Sequence, residues 1–134
     1  MKKIIYSQIN RLCIDIPEGN IKNEQHLQIW EKHGGDNQKW VFEDDGSIVS
    51  AINKKYCIDI PQGDIKNGQH LQIWEKHGGD NQKWVFEDDG SIVSAINKKY
   101  CIDIPQGDIK NGQHLQIWEK HGGDNQKWVF KRDS

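Results

Sequence analysis

The chain has little apolar material and no long run of it. Only 34% of its residues are hydrophobic, and no stretch approaches the roughly 20 apolar residues that a bilayer-spanning helix needs. No membrane insertion is therefore expected. Near the N-terminus, Ile4-Ile5-Tyr6 gives way at once to Ser-Gln-Ile-Asn-Arg, too short for the hydrophobic centre of a secretion signal. A cytoplasmic location is the expectation. An excess of one charge is also missing. Net charge is −2, and basic residues come as scattered pairs such as Lys54-Lys55 and Lys98-Lys99. Without a basic stripe, nucleic acid is not an expected partner. Cysteine is sparse: Cys13, Cys57 and Cys101. An odd count, with each thiol a repeat away from the next, argues against a disulfide framework and fits a reducing compartment. These thiols read as small buried side chains. No nearby histidine completes a metal site, so neither a metal nor another cofactor is expected.

What is abundant is repetition. Residues 43–86 and 87–130 are identical at all 44 positions. Residues 13–42 carry the same text with Glu18 for Gln62, Asn20 for Asp64 and Glu24 for Gly68. A fixed period of this length decides the architecture before individual residues are read. It divides residues 1–134, read as one domain, into units of approximately 1–45, 46–89 and 90–134. Such identity points to a recent tandem duplication or to deliberate symmetrisation.

Each unit reads as four short strands, expected in the second copy at residues 47–52, 56–60, 70–76 and 83–87. Thirteen glycines supply the turns between them. Asp45-Gly46 and Asp89-Gly90 are hairpin dipeptides, because glycine accepts a positive φ without a Cβ clash. Asn67-Gly68 and Asn111-Gly112 repeat the device before the third strand. Glu24 replaces the glycine in the first copy, so a strained or different turn is expected there, at a cost of about 1 kcal/mol if φ stays positive.

Alternation separates two kinds of tryptophan. Trp40, Trp84 and Trp128 fall with apolar neighbours and read as core. Trp30, Trp74 and Trp118 share a face with His70, Gln72 and their counterparts. A four-stranded unit cannot bury its own apolar face, so three must close on one another. Closure also removes exposed sheet edges. The expected fold is all-β, a β-trefoil of three four-stranded repeats with pseudo-threefold symmetry. A three-bladed propeller would fall below the usual minimum of about four blades and leave its centre open.

Three Q-x-W motifs stand in register: Gln38-Lys39-Trp40, Gln82-Lys83-Trp84 and Gln126-Lys127-Trp128. Each follows a Cys-Ile-Asp-Ile and a Leu-Gln-Ile-Trp segment. This combination resembles the ricin B-chain-like (R-type) lectins and the family-13 carbohydrate-binding modules over nearly the whole chain. The resemblance implies one sugar site per repeat. It assigns the sugar-binding carboxylate to Asp15, Asp59 and Asp103, and the stacking aromatic to Trp30, Trp74 and Trp118. The loop amide becomes Asn37, Asn81 and Asn125, with His33, His77 and His121 beside it and Gln28, Gln72 and Gln116 in support. The glutamines of the Q-x-W motif read as structural. Galactose-type glycans are the implied partners. The family commonly pairs the cysteine at Cys13 with a second one, but Lys32, Lys76 and Lys120 stand there instead, so stability must come from packing.

The chemistry of these side chains agrees with that assignment. An exposed indole offers a flat surface to the C–H face of a sugar. A carboxylate accepts charge-assisted bonds from two neighbouring hydroxyls, and an amide both donates and accepts. Histidine makes affinity expected to fall as pH drops towards 6. No catalytic residues are expected. Asp44-Asp45 and Asp88-Asp89 are adjacent pairs in solvated turns, and His-Gly-Gly has no accompanying Gly-x-Ser-x-Gly. The competing reading is a symmetric scaffold, engineered or recently duplicated, that folds well and binds nothing.

Overall fold

In a computed structural model, which describes residues 1–9 and 11–132, the three repeats form a β-trefoil. The first repeat contributes β1 (Lys3–Ser7), β2 (Cys13–Asp15), β3 (Gln28–Trp30) and β4 (Trp40–Phe42). The second contributes β5 (Ile48–Ser50), β6 (Tyr56–Asp59), β7 (Gln72–Glu75) and β8 (Trp84–Phe86). The third contributes β9 (Ile92–Ser94), β10 (Tyr100–Asp103), β11 (Gln116–Glu119) and β12 (Trp128–Arg132).

The strands are shorter than alternation alone predicts. Ser50 ends β5 because its Oγ accepts the amide of Ile52 at 3.0 Å and turns the chain outward. His70 and Leu71 precede β7 because their backbones bond to the third repeat, not to β6. His70 bridges to Gln116, and the Leu71 amide donates to the Leu115 carbonyl at 3.1 Å.

The first and fourth strands of each repeat build a closed barrel. β4 pairs with β5, β8 with β9, and β12 with β1 over five residues from Lys3↔Arg132 to Ser7↔Trp128. Single contacts close the remaining seams. Lys3 faces Trp40, and the amides of Trp84 and Trp128 donate to the carbonyls of Gly46 and Gly90, each at 2.9 Å. The hairpins β2–β3, β6–β7 and β10–β11 form the cap. Across the axis Leu27 donates to Leu71, Leu71 to Leu115 and Leu115 to Leu27, each at 3.1 Å, a cyclic set of main-chain bonds.

The core lies between barrel and cap. It takes one isoleucine or leucine from nearly every strand and the indoles of Trp40, Trp84 and Trp128, which are at most 3% exposed. Each indole Nε1 donates to a carbonyl of its own repeat, Ile14, Ile58 or Ile102, at 3.1–3.2 Å. A buried indole N–H thus finds the partner it requires. Phe42, Phe86 and Phe130 meet at the ends of their barrel strands, with centroids 4.5–5.1 Å apart. In the cap His26 stacks on His70 at 3.9 Å and meets His114 edge-on. Burial first, and then the neighbouring imidazoles, lower the pKa of His26, and burial and His114 lower that of His70. Both effects favour neutral rings, which can stack without repulsion.

The cysteines are buried and unpaired, as their spacing implies. Each Sγ lies 3.3–3.7 Å from the carbonyl of its own repeat's outer tryptophan. Burial, the dominant cause, pushes all three thiols up to about 12, which makes them inert as nucleophiles. The turn glycines behave as their dipeptides predict, with φ of 95° at Gly46 and 88° at Gly68. Glu24 adopts φ 76° at the place equivalent to Gly68.

Two stability measurements follow from this packing. Trp84→Ala should cost about 3–5 kcal/mol in denaturant unfolding, against about 1 kcal/mol or less for Trp74→Ala; equal losses would contradict the division of the tryptophans. Glu24→Gly should raise stability by about 1 kcal/mol by relieving a left-handed non-glycine residue, seen as a higher midpoint at unchanged slope.

Candidate functional site

Each repeat carries one recess, and its floor is a buried carboxylate. Asp15, Asp59 and Asp103 end the second strands and are 1–2% exposed. In the first repeat Asp15 Oδ1 accepts from Gln28 Nε2 at 2.9 Å. Oδ2 accepts from Gln38 Nε2 at 2.8 Å and from Asn37 Nδ2 at 3.3 Å. Asp59 and Asp103 take the corresponding bonds, from Gln72, Gln82 and Asn81 and from Gln116, Gln126 and Asn125. The carboxylate therefore positions the amides around it as well as facing the recess.

In this arrangement Oδ2 already accepts from two amides and Oδ1 from one. An ionised carboxylate has about four acceptor positions, and the open one lies on Oδ1.

The Q-x-W glutamine ties the recess together. Gln38 donates to Asp15 and to the Glu31 carbonyl at 2.8 Å, while its Oε1 accepts the His33 amide at 3.0 Å. Gln82 and Gln126 do the same in their repeats. The motif thus fixes the loop with its glutamine and the barrel with its tryptophan.

The histidine is oriented by that loop. His33 Nδ1 accepts the Gly35 amide at 3.0 Å, so in the neutral ring the proton sits on Nε2. Nε2 lies 3.8 Å from Asp15 Oδ2, and its counterparts on His77 and His121 lie 4.0 and 3.9 Å from Asp59 and Asp103. The glycine between histidine and asparagine leaves room for both. A Cβ on Gly79 would stand 2.7 Å from the His77 ring and 2.8 Å from Asn81 Oδ1.

Burial is the main reason that Asp15, Asp59 and Asp103 have raised pKa values, partly offset by the two glutamine donors and the histidine. Their protonation accordingly begins at higher pH than that of an ordinary aspartate.

All five side chains singled out from sequence line one recess per repeat. Asp15, Gln28, Trp30, His33 and Asn37 surround the first. Asp59, Gln72, Trp74, His77 and Asn81 surround the second, and Asp103, Gln116, Trp118, His121 and Asn125 the third. Sequence reasoning missed the opposite wall. Pro17 with Glu18, Pro61 with Gln62 and Pro105 with Gln106 complete the three recesses, and Glu24 of the first repeat enters the second. The signal for Glu18 and Glu24 was present, since both are positions where the copies differ.

The arrangement offers a flat indole, a carboxylate and oriented amides, a set suited to binding a polyhydroxylated ring. Among the described residues that line the recesses, no nucleophile is paired with a base.

A family model for the ricin-type beta-trefoil lectin domain matches residues 3–133. Among solved structures, the designed 3-fold symmetric protein ThreeFoil is 23% identical, with 96% of each chain covered and a TM-score of 0.89. The C-half of the earthworm R-type lectin is 23% identical over 97% of each chain, with a TM-score of 0.84. An exo-beta-1,3-galactanase from Clostridium thermocellum is 25% identical over 96% of this chain and 29% of its own, with a TM-score of 0.85. With its fold and its matched segment agreeing over nearly the full length, the chain belongs to the ricin-type β-trefoil lectin family, a family of non-catalytic carbohydrate-binding domains.

Proposed function

We propose that this protein is a trivalent lectin that binds galactose-type sugars reversibly and performs no chemistry on them. The observation that carries the reading is the triplicate recess, in which an outer indole stands over a buried carboxylate flanked by Gln, Asn and His. Trp30 and Trp118 are 39% and 38% exposed, so their faces are open to stack on a sugar ring. Oδ1 of the aspartate then accepts one hydroxyl, the asparagine and glutamine amides address its neighbours, and the histidine Nε2–H donates. The earthworm lectin C-half was crystallised with GalNAc, and a bitter gourd relative, 19% identical, with alpha-methyl-D-galactoside. Both support the galactose-type assignment.

Single shallow sites of this kind bind in the region of 1 mM, about −4 kcal/mol. Three on one rigid body raise avidity on a glycan-coated surface by about 10²–10⁴ where spacing permits.

Indole N–H signals in two-dimensional NMR read each recess separately. Galactose or GalNAc should shift the signals of Trp30, Trp74 and Trp118 and leave those of Trp40, Trp84 and Trp128 in place. Trp74→Ala should remove one site and spare two. Absence of any shift with either sugar would favour the non-binding scaffold.

The pH dependence has a defined sign. A raised aspartate pKa means that its contribution to folding is fully present below the unfolded value and is lost as pH rises through the folded one. Sugar binding needs the ionised form and runs the other way. Affinity should therefore fall on acidification, starting above the ordinary aspartate value of 3.8. Titration from pH 7 to pH 4 checks this, and an affinity flat to below 3.8 would contradict it.

A further inference from the structure

The three recesses are built from nearly the same text, yet they differ in charge. Of the three positions at which residues 13–42 differ from the later copies, two face a recess. Glu18 lines the first, where its counterparts Gln62 and Gln106 line the second and third. The backbone presents this side chain identically each time, at φ 55° in all three copies. Glutamate and glutamine have the same shape there, so only charge changes. Asn20, the remaining difference, donates to Gln25 and takes no part in a recess.

Glu24 acts across a repeat boundary. The turn that carries it hooks onto β7, its amide donating to the Ile73 carbonyl at 3.0 Å. In the equivalent places a Cβ on Gly112 would lie 3.7 Å from the Trp30 ring, and one on Gly68 would lie 4.0 Å from the Trp118 ring. Only the second recess receives a side chain at this point. It is also the smallest, with a cavity of about 250 Å3 against about 410 Å3 and 320 Å3 for the first and third. Trp74 is correspondingly less exposed than Trp30 and Trp118. Among the described residues no lysine or arginine lines any of the three.

We propose that Glu18 and Glu24 grade the three sites by ligand charge. The third recess, with Asp103 as its single carboxylate, accepts anionic galactose-type sugars, and the first and second, each with a second carboxylate, select against them. Sugars with a free ammonium group reverse the order. The assignment rests on the lectin reading. Two unit charges about 7 Å apart in water change affinity about threefold, and about sevenfold at half that dielectric constant. Both glutamates are exposed, so added salt weakens the effect.

The test uses the indole signals of Trp30, Trp74 and Trp118 at low salt and pH 7, with methyl galactoside as the neutral probe and galacturonate as the anionic one. For each site the ratio of galacturonate to galactoside affinity is measured. The ratio should be about three- to tenfold higher at Trp118 than at Trp30 or Trp74, and the gap should shrink in 0.5 M NaCl. Glu18→Gln should raise the ratio at Trp30 alone, and Glu24→Gly at Trp74 alone. Galactosamine should show the opposite order. Equal ratios at the three indoles, or ratios unmoved by both substitutions, overturn the charge grading while the lectin reading stands. If neither neutral nor charged sugar moves any outer indole, the lectin reading itself falls and the grading falls with it.

Discussion

The fold depends on a ring of three hydrogen bonds in which no repeat is its own partner. Leu27, Leu71 and Leu115 each pass a main-chain N–H to the next, and every buried amide must find an acceptor somewhere. A single repeat would leave these groups unpaired, just as it would leave its isoleucines uncovered. Closure is therefore required before any one repeat is stable. The same threefold exchange extends outward. Asn23, Asn67 and Asn111 clamp Glu75, Glu119 and Glu31 of a neighbouring repeat through both backbone and side chain. Once the hairpins are interlocked in this way, the turn before each third strand lies against the next repeat's outer tryptophan. A recess whose floor belongs to one repeat consequently has a rim contributed by another.

That exchange also marks where sequence stopped being informative. The trefoil, the inner and outer tryptophans, the hairpin glycines and the left-handed Glu24 follow from period, alternation and the special conformation of glycine. All are properties of one repeat read along itself. The five residues of each recess were legible through the resemblance to the R-type lectins, whose motif falls within one period. Glu24 in the second recess was not legible, because its approach to Trp74 spans 50 residues of chain and exists only through interlocking. The saturation of Asp15 Oδ2 was equally hidden. It requires Gln38 and Asn37 to arrive on the same oxygen, a matter of loop geometry rather than of residue type.

Where the family commonly has a disulfide, this chain has a thiol and an ammonium. Lys76 instead pairs with Glu43 and Asp45 at 2.7 and 2.9 Å, and Lys120 with Glu87 and Asp89 at 2.7 and 2.8 Å. These pairs hold the lysines above their usual range and Asp45 and Asp89 below theirs. They are largely exposed, and exposed pairs contribute little to stability. Their use is local, tying the β4–β5 and β8–β9 turns to the loops that follow β7 and β11. In the period Lys131 occupies the place of Glu43 and Glu87, so the equivalent pair of the first repeat lacks its glutamate. Stability must therefore come from the shared core and the ring of leucines.

Symmetry and function thus make separable demands on the chain. The leucines of the ring and Phe42, Phe86 and Phe130 meet their own images across the axis, so a change there in one repeat is felt by the other two. Positions 18, 20 and 24 are under no such constraint: they lie on turns whose backbone path is fixed by neighbours while their side chains reach solvent or a recess rim. Glu24 sharpens the point, since it keeps a carboxylate at a left-handed position where its counterparts are glycine. Loops on a rigid frame are where binding preferences change at least structural cost. A trefoil can therefore keep three copies of one floor and still present three different rims.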